Sequence, residues 1–251
     1  MTNSLFFGAG VLVATPAGAN QTPIEFGVLQ DCSVDFSFTP KPLLGQFQMP
    51  VAVARGAGKI SGSAKFADIR GAVFNQLFFP SAYITSTTGQ LLWAYQEAGS
   101  IGTSPYTYTT VNSATFNADE GVRFASSGVP LTRVASAPAA GQYSLSAGVY
   151  TFNTTDNGKA ILVTYTYTQT VVGSRQVIGN PLMGVTTTFQ IDLYQTNPNV
   201  SGQQWSLRLF SCMASKLTFA TKLEDWNIPQ FDFEAFANGA NQIGEFNPAN
   251  L

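Results

Sequence analysis

The chain has no histidine, only two cysteines, and charged residues at just 10% of its 251 positions. Each shortage removes a class of chemistry. Without histidine there is no Ser-His-Asp or Cys-His nucleophile, and no histidine-ligated zinc. Cys32 and Cys212 are too few and too far apart in sequence for a thiolate metal site or a disulfide framework. They are expected as half-buried thiols of a protein made in a reducing cytoplasm, with one long-range disulfide as the alternative. No lysine has a serine three residues before it, so the Ser-x-x-Lys arrangement is missing too. Gly56-Ala57-Gly58-Lys59-Ile60-Ser61 has the texture of a phosphate loop, yet Val53 stands where the first glycine belongs and Ile60 where Ser or Thr should follow the lysine. A hairpin turn is the simpler reading. Carboxylates can converge from anywhere in a fold, and Asp225, Asp232 and Glu234 are the densest group, but nothing beyond density marks them. The expectation is a protein that is not an enzyme, with no metal and no cofactor.

The scarcity of charge has a second consequence. Twelve cations and fourteen anions give a net charge of −2, where an ordinary soluble domain is about 25% charged. Thr, Ser, Asn, Gln and Gly fill the gap. Such a surface suits coverage by neighbours, because stable interfaces lose charge at their centres; a secreted β-sandwich would look similar. Scattered cations do not make the basic stripe that nucleic-acid binding needs, although a nearly neutral wall would let DNA slide past. No apolar run reaches the ~18 residues of a membrane-spanning helix. Leu5–Ala14 is apolar and precedes Ala17-Gly18-Ala19, but the first basic residue is Lys41. An N-terminal strand or arm over Phe6–Ala14 is therefore expected rather than a signal peptide.

What is present is mostly β patterning. Residues 28–38 alternate, and Thr39-Pro40-Lys41-Pro42 breaks the alternation. Gln46–Ala54 resumes it, Arg55-Gly56-Ala57-Gly58 reads as a turn, and Lys59–Phe66 is a regular strand. Small residues at Gly62 and Ala64 point to close approach by another element. Residues 67–79 switch to helical spacing, with Ile69, Val73 and Leu77 on one stripe, and Pro80 ends them. Short strands follow from 81 to 126. Gly148–Asn153 and Ala160–Thr170 read as a hairpin about Asp156-Asn157-Gly158-Lys159. Thr186–Gln195 and Trp205–Cys212 read as another, followed by a strand at Leu217–Leu223. In the first of these strands Phe189, Ile191 and Leu193 oppose Gln190, Asp192 and Tyr194.

Two segments, GVLQDCSVDFSFTPKPLLGQFQMPVAVARGAGKISGSAKFADIRGAVFNQLFF (27–79) and NPLMGVTTTFQIDLY with SKLTFATKLEDWNIPQFDFEAFANGANQIGEF (180–194 and 215–246), carry a family resemblance. The stretch 139–168 adds to it. In texture and order the chain resembles the major tail tube proteins of long-tailed, non-contractile bacteriophages and related prophages. The resemblance implies a β-sandwich or split barrel with one flanking α-helix, here at about 67–79. The tail-tube domain would then cover 1–99 and 176–251, and the short strands and turns of 100–175 read as an inserted β subdomain. The resemblance further implies homo-hexameric rings stacked into a hollow tube in the virion tail, made in the host cytoplasm, with other tail proteins at the tube ends. DNA would pass through without specific binding, and no membrane is involved.

On that reading, polar positions on the two hairpins, about 28–54 and 186–212, line the lumen; Asp35, Gln190 and Asp192 are the candidates. Leu43 and Leu44, in a loop at Pro40–Leu44, and the C-terminal aromatics Trp226, Phe231, Phe233 and Phe236 are the candidate contacts between subunits or rings, since apolar side chains beside chain breakers often mark contacts. For the aromatics, packing in the chain's own core competes. Rival readings remain open: a capsid decoration or tail-terminator protein, a glycosidase-like enzyme, or a carbohydrate-binding β module suggested by Tyr106, Tyr108, Tyr143, Tyr165 and Tyr167.

Overall fold

A computed structural model of the chain describes residues 6–18, 20–68, 73–79, 84–86, 89–170, 173–175, 178–198 and 202–250. The protein is mainly β. The described strands are β1 (Val11–Pro16), β2 (Ile24–Glu25), β3 (Leu29–Leu44), β4 (Pro50–Phe66), β5 (Ile84–Ser86), β6 (Gln90–Ser100), β7 (Thr107–Thr109), β8 (Phe116–Phe124), β9 (Thr132–Arg133), β10 (Gln142–Ser146), β11 (Val149–Phe152), β12 (Ala160–Gln169), β13 (Gly173–Arg175), β14 (Thr188–Thr196), β15 (Gln203–Thr218), β16 (Gln230–Ala235) and β17 (Gly244–Asn250). The chain divides into two compact units, Met1–Tyr83 with Gln176–Leu251, and Ile84–Arg175. The second unit starts earlier than residue 100 because β6 is bonded along its length to β12.

The first unit is one antiparallel sheet in the order β2-β1-β14-β15-β16-β4-β3. The long β15 takes β14 on one side; on the other its first half pairs with β17 and its second half with β16. Alternation decides the faces. Phe189, Ile191 and Leu193 of β14, Phe231 and Phe233 of β16, and Ala64 and Phe66 of β4 are buried together with Leu12 and Leu209. Each large apolar side chain removed from water in this way stabilises by about 1.5–3 kcal/mol. Gly62 is required here: a Cβ would overlap the ring of Phe233, the close approach that the small residues of β4 foretold.

The hairpin of β3 and β4 differs from the sequence expectation. Neither Pro40–Leu44 nor Arg55–Gly58 is a loop; both are strand, and the connection lies between Leu44 and Pro50. Pro40 and Pro42 are tolerated because β3 is the edge of the sheet, where a missing donor goes unmissed. The glycines serve packing rather than turning. A Cβ at Gly56 would sit 2.9 Å from the Thr39 carbonyl, and one at Gly58 would sit 2.8 Å from the Phe38 ring. Likewise β15 continues unbroken to Thr218, where two strands were expected.

Of the helix expected at 67–79, residues 69–72 lie outside the described residues, and the rest is not an α-helix. Val73–Phe78 is a single π turn. Leu77 is fully buried and its neighbour Phe78 packs against the same core, which a wider turn permits more readily than the tighter α step. The Thr187 hydroxyl donates to the Leu77 carbonyl at 2.8 Å.

In the second unit, a three-stranded sheet, β6-β12-β8, and a four-stranded sheet, β7-β11-β10-β9, share one core. Val122, Ile161, Val163 and Tyr165 come from the first; Tyr143, Tyr150 and Phe152 come from the second. The expected hairpin of 148–170 is corrected: β11 pairs with β10 and β7, whereas β12 pairs with β6 and β8. The turn at Asp156–Lys159 carries the chain from one sheet to the other. Asn153 caps it by accepting from the Thr155 amide, and buried Asp156 accepts from the Gly141 amide at 2.8 Å and from Lys159 Nζ at 2.7 Å. The real hairpin turn is Ala147-Gly148, both with positive φ.

Candidate assembly surface

β3 and β4 stay paired from Leu29 opposite Phe66 out to Leu44 opposite Pro50. A third strand supports them only at their base, where β16 pairs with Ile60–Lys65 of β4. Beyond Ile60, no described strand pairs with β4 except β3, and the ribbon runs on for roughly 30 Å. An isolated two-stranded ribbon is marginal in water, and this one is apolar. Phe36, Phe38, Leu43, Leu44, Phe47, Met49, Val51 and Val53 are each more than half exposed. Adjacent strand residues point to opposite faces, so Leu43 and Leu44 make both faces of the tip apolar. Its charges are the cations Lys41 and Arg55, and the Arg55 guanidinium lies 4.7 Å from the centre of the Phe38 ring.

At the base of the ribbon an apolar groove of about 290 Å³ is lined by Phe36, Phe38 and Ile60 on one side and by Leu207, Leu209 and Phe246 on the other. A second exposed apolar stretch follows β15, where Leu223 and Trp226 are 99% and 81% exposed. That loop is held by a Lys222–Asp225 ion pair at 2.6 Å and by the Lys222 amide donating to Asn227. The ammonium of Lys222 and the Trp226 amide keep the Asp225 carboxyl below its ordinary value.

Gln190 and Asp192 lie on the face of the sheet opposite the core, because they alternate with buried apolar residues, and Asp35 shares that face with Asp232 and Glu234, which alternate with buried Phe231 and Phe233. Asp192 accepts from Gln190 and pairs with Arg208, which also reaches Glu245 at 3.4 Å. Asp35 lines a polar hollow of about 240 Å³ with Ser61, Ser63, Asp232 and Glu234. Glu234 is paired to Lys59 at 2.7 Å, and Asp232 accepts from Gln230. Of the acidic group weighed at first, Asp232 and Glu234 thus share this polar face while Asp225 sits in the loop.

The contact candidates divide. Leu43, Leu44, Trp226 and Phe236 are exposed. Phe231 and Phe233 are not contact residues: both are fully buried in the chain's own core. Sequence reasoning also missed most of the exposed ribbon, because the alternation of residues 28–38 reads as that of an ordinary strand. The available signal was the proline spacing, Pro40, Pro42 and Pro50, which belongs to strands at the edge of a sheet. The tyrosines that suggested carbohydrate binding, Tyr106, Tyr108, Tyr143, Tyr165 and Tyr167, all belong to or pack on the second unit's core. Both cysteines are free thiols, Cys32 half-buried and Cys212 buried. No family model matches the chain, and no curated protein matches it.

Proposed function

We propose that this chain is a structural subunit that assembles with copies of itself, in the manner of the tail tube proteins it resembles, and that the β3–β4 ribbon is its docking arm. One observation carries this reading: eight large apolar side chains, each more than half exposed, are gathered on one two-stranded ribbon. Exposed apolar surface of that continuity is a cost in a monomer and is the usual mark of an interaction site. The open edge of β3 adds unpaired backbone groups that closure into a ring would satisfy. The ribbon's own length carries its tip away from the groove at its base, so a neighbour's tip is the natural occupant of that groove. Repeated head-to-tail docking of this kind is heterologous and yields rings or open filaments. The polar face bearing Asp35, Gln190 and Asp192 is the proposed lumen wall, and its balanced ion pairs suit passage of DNA without adhesion. In this reading the chain is a non-enzymatic virion component.

Negative-stain electron microscopy of the purified chain across concentration tests it. Hollow filaments with a regular axial repeat are the expected result. A variant carrying Leu43→Ser, Leu44→Ser, Val51→Ser and Val53→Ser should give particles of subunit mass in sedimentation velocity. If that variant forms the same filaments as the parent, the ribbon is not the arm. Deleting residues 228–251 would be uninformative, because it removes β16, β17 and the core residues Phe231 and Phe233.

A further inference from the structure

We infer that the second unit carries a binding groove for an uncharged glycan chain, built on the outer side of β6, β12 and β8. The groove has a volume of about 360 Å³, and its lining includes Trp93, Tyr95, Glu120, Arg123 and Thr164. Trp93 and Tyr95 are 59% and 73% exposed. They stand two apart on one strand, so their rings share a face about 7 Å apart. These are not the tyrosines of the sandwich core, and no packing within the unit accounts for their exposure.

Two bulges shape the site. On β6 the register shifts at Gln96, which has a φ of 56°. Before the bulge Trp93 and Tyr95 point outward; after it Glu97 points inward, where it accepts from Tyr108 and Tyr165. On β8 the register shifts at Glu120, between Asp119 and Gly121, and Gly121 has a φ of 113°. The two bulges flank Thr164 of the central strand, one on each side. Bulges bend a strand and re-aim its side chains, and they gather beside functional sites. The freed Gln96 amide donates to the Thr164 hydroxyl at 3.2 Å, which leaves that hydroxyl's own proton for a ligand.

The lining chemistry selects the ligand class. A sugar ring offers C–H faces that lie on aromatic rings and an equatorial belt of hydroxyls that both donate and accept. The groove supplies two aromatic faces, a carboxylate acceptor, a guanidinium donor and a hydroxyl. The side chains of Glu120 and Arg123 make no ion pair or hydrogen bond with another described residue, so both are available. Their charges cancel, which suits an uncharged chain over a polyanion or a polycation. The open shape suits a chain passing through rather than a monosaccharide enclosed on all sides.

The test uses the full chain, dispersed, with four probes: cellohexaose, chitohexaose, maltohexaose and mannohexaose. Tryptophan fluorescence and saturation-transfer NMR are read during titration to about 10 mM, beyond a weak millimolar affinity. At least one probe should bind saturably. Trp93→Ala and Tyr95→Ala should each weaken it about tenfold, and Glu120→Gln and Arg123→Ala by less. All four side chains lie outside the core, and unchanged circular dichroism confirms that each variant folds. No saturable binding by any probe overturns the inference. So does binding that Trp93→Ala leaves intact. If instead a proline-rich peptide binds and Trp93→Ala abolishes it, or if Trp93→Ala changes the sedimentation of the chain alone, the groove takes a polypeptide and the glycan assignment is wrong.

Discussion

The β3–β4 ribbon and the core of the second unit both concentrate aromatic and aliphatic side chains, and they use them in opposite ways. In the second unit every core tyrosine hydroxyl with a described bond reaches a carboxylate. Tyr143 and Tyr150 donate to Asp119 at 2.7 and 2.9 Å, and Tyr108 and Tyr165 donate to Glu97 at 2.7 and 2.6 Å. The rings are buried and their polar ends are satisfied, so that core is complete within one chain. The ribbon is the reverse. Its apolar groups carry no polar ends to satisfy, and more than half of each is left uncovered by the described residues. On the proposed reading, the difference separates residues that stabilise a subunit from residues that a second one would cover. Substitution can test the separation, since the first kind should cost folding energy and the second should not.

The largest effect belongs to the core of the first unit. Phe233→Ala empties the space beneath Gly62 and should destabilise that unit by about 3–5 kcal/mol in urea unfolding. A loss under about 1 kcal/mol would mean that Phe233 is free to serve a contact after all. Next comes Asp119, whose side chain is 3% exposed and which also faces Arg133 at 3.6 Å. Asp119→Ala strands two buried hydroxyls and should cost about 2–3 kcal/mol, whereas Tyr143→Phe removes one bond and should cost about 1 kcal/mol. Equal losses would show that the network does not hinge on the carboxylate. Gly148→Ala should cost about 2 kcal/mol, because φ is +76° and the new Cβ would lie 2.9 Å from the Ser113 Cα. Heat denaturation of the variant checks this, and an unchanged midpoint would mean the turn relaxes.

How much of this was legible in sequence follows from the same distinction. The β class, the polar side of β14 with Gln190 and Asp192, and the close approach at Gly62 were all readable, because period-two alternation and small residues report local geometry directly. The ribbon was not. Val34, Phe36 and Phe38 alternate identically whether a core covers them or nothing does, since alternation marks a face without saying what lies on it. The sheet change at Asp156–Lys159 was hidden for a similar reason. Asn-Gly turns look alike in a hairpin and in a crossover, and only buried Asp156, bonded to distant Gly141, distinguishes them. Trp93 and Tyr95 were read as ordinary strand residues, because the bulges at Gln96 and Glu120 that give them a groove leave no pattern in composition.

A smaller effect tests the closed cores through alkali. Burial pushes the Cys212 thiol from 9.0 up to about 12, and burial with the Asp31 charge pushes Cys32 up to about 11. Tyr143 and Tyr150 are raised from 10.0 by burial and by Asp119. In each case the folded chain holds its proton longer than the unfolded chain does. The stabilisation is whole below pH 9 and declines as pH rises from there, because the unfolded state ionises first. Urea midpoints at pH 8, 9.5 and 10.5 should fall in that order, and a flat profile would refute the shifts. At pH 8 a thiol reagent should label neither cysteine quickly in the native chain, with Cys32 ahead of Cys212.

The smallest effect on folding is the most informative. The ribbon variant Leu43→Ser, Leu44→Ser, Val51→Ser and Val53→Ser changes four large side chains that are each 62–71% exposed. Surface substitutions of this kind usually fall within about 0.5 kcal/mol, so the unfolding midpoint of the dispersed chain should hardly move. Four such changes in either core would abolish folding. A large loss of stability would mean that the tip folds back onto its own subunit, and its apolar residues would then be a core in disguise. Unchanged stability joined to lost assembly would leave one explanation. In that outcome the ribbon's side chains would contribute their free energy only between subunits, and the fold would tolerate their exposure because a neighbour covers them.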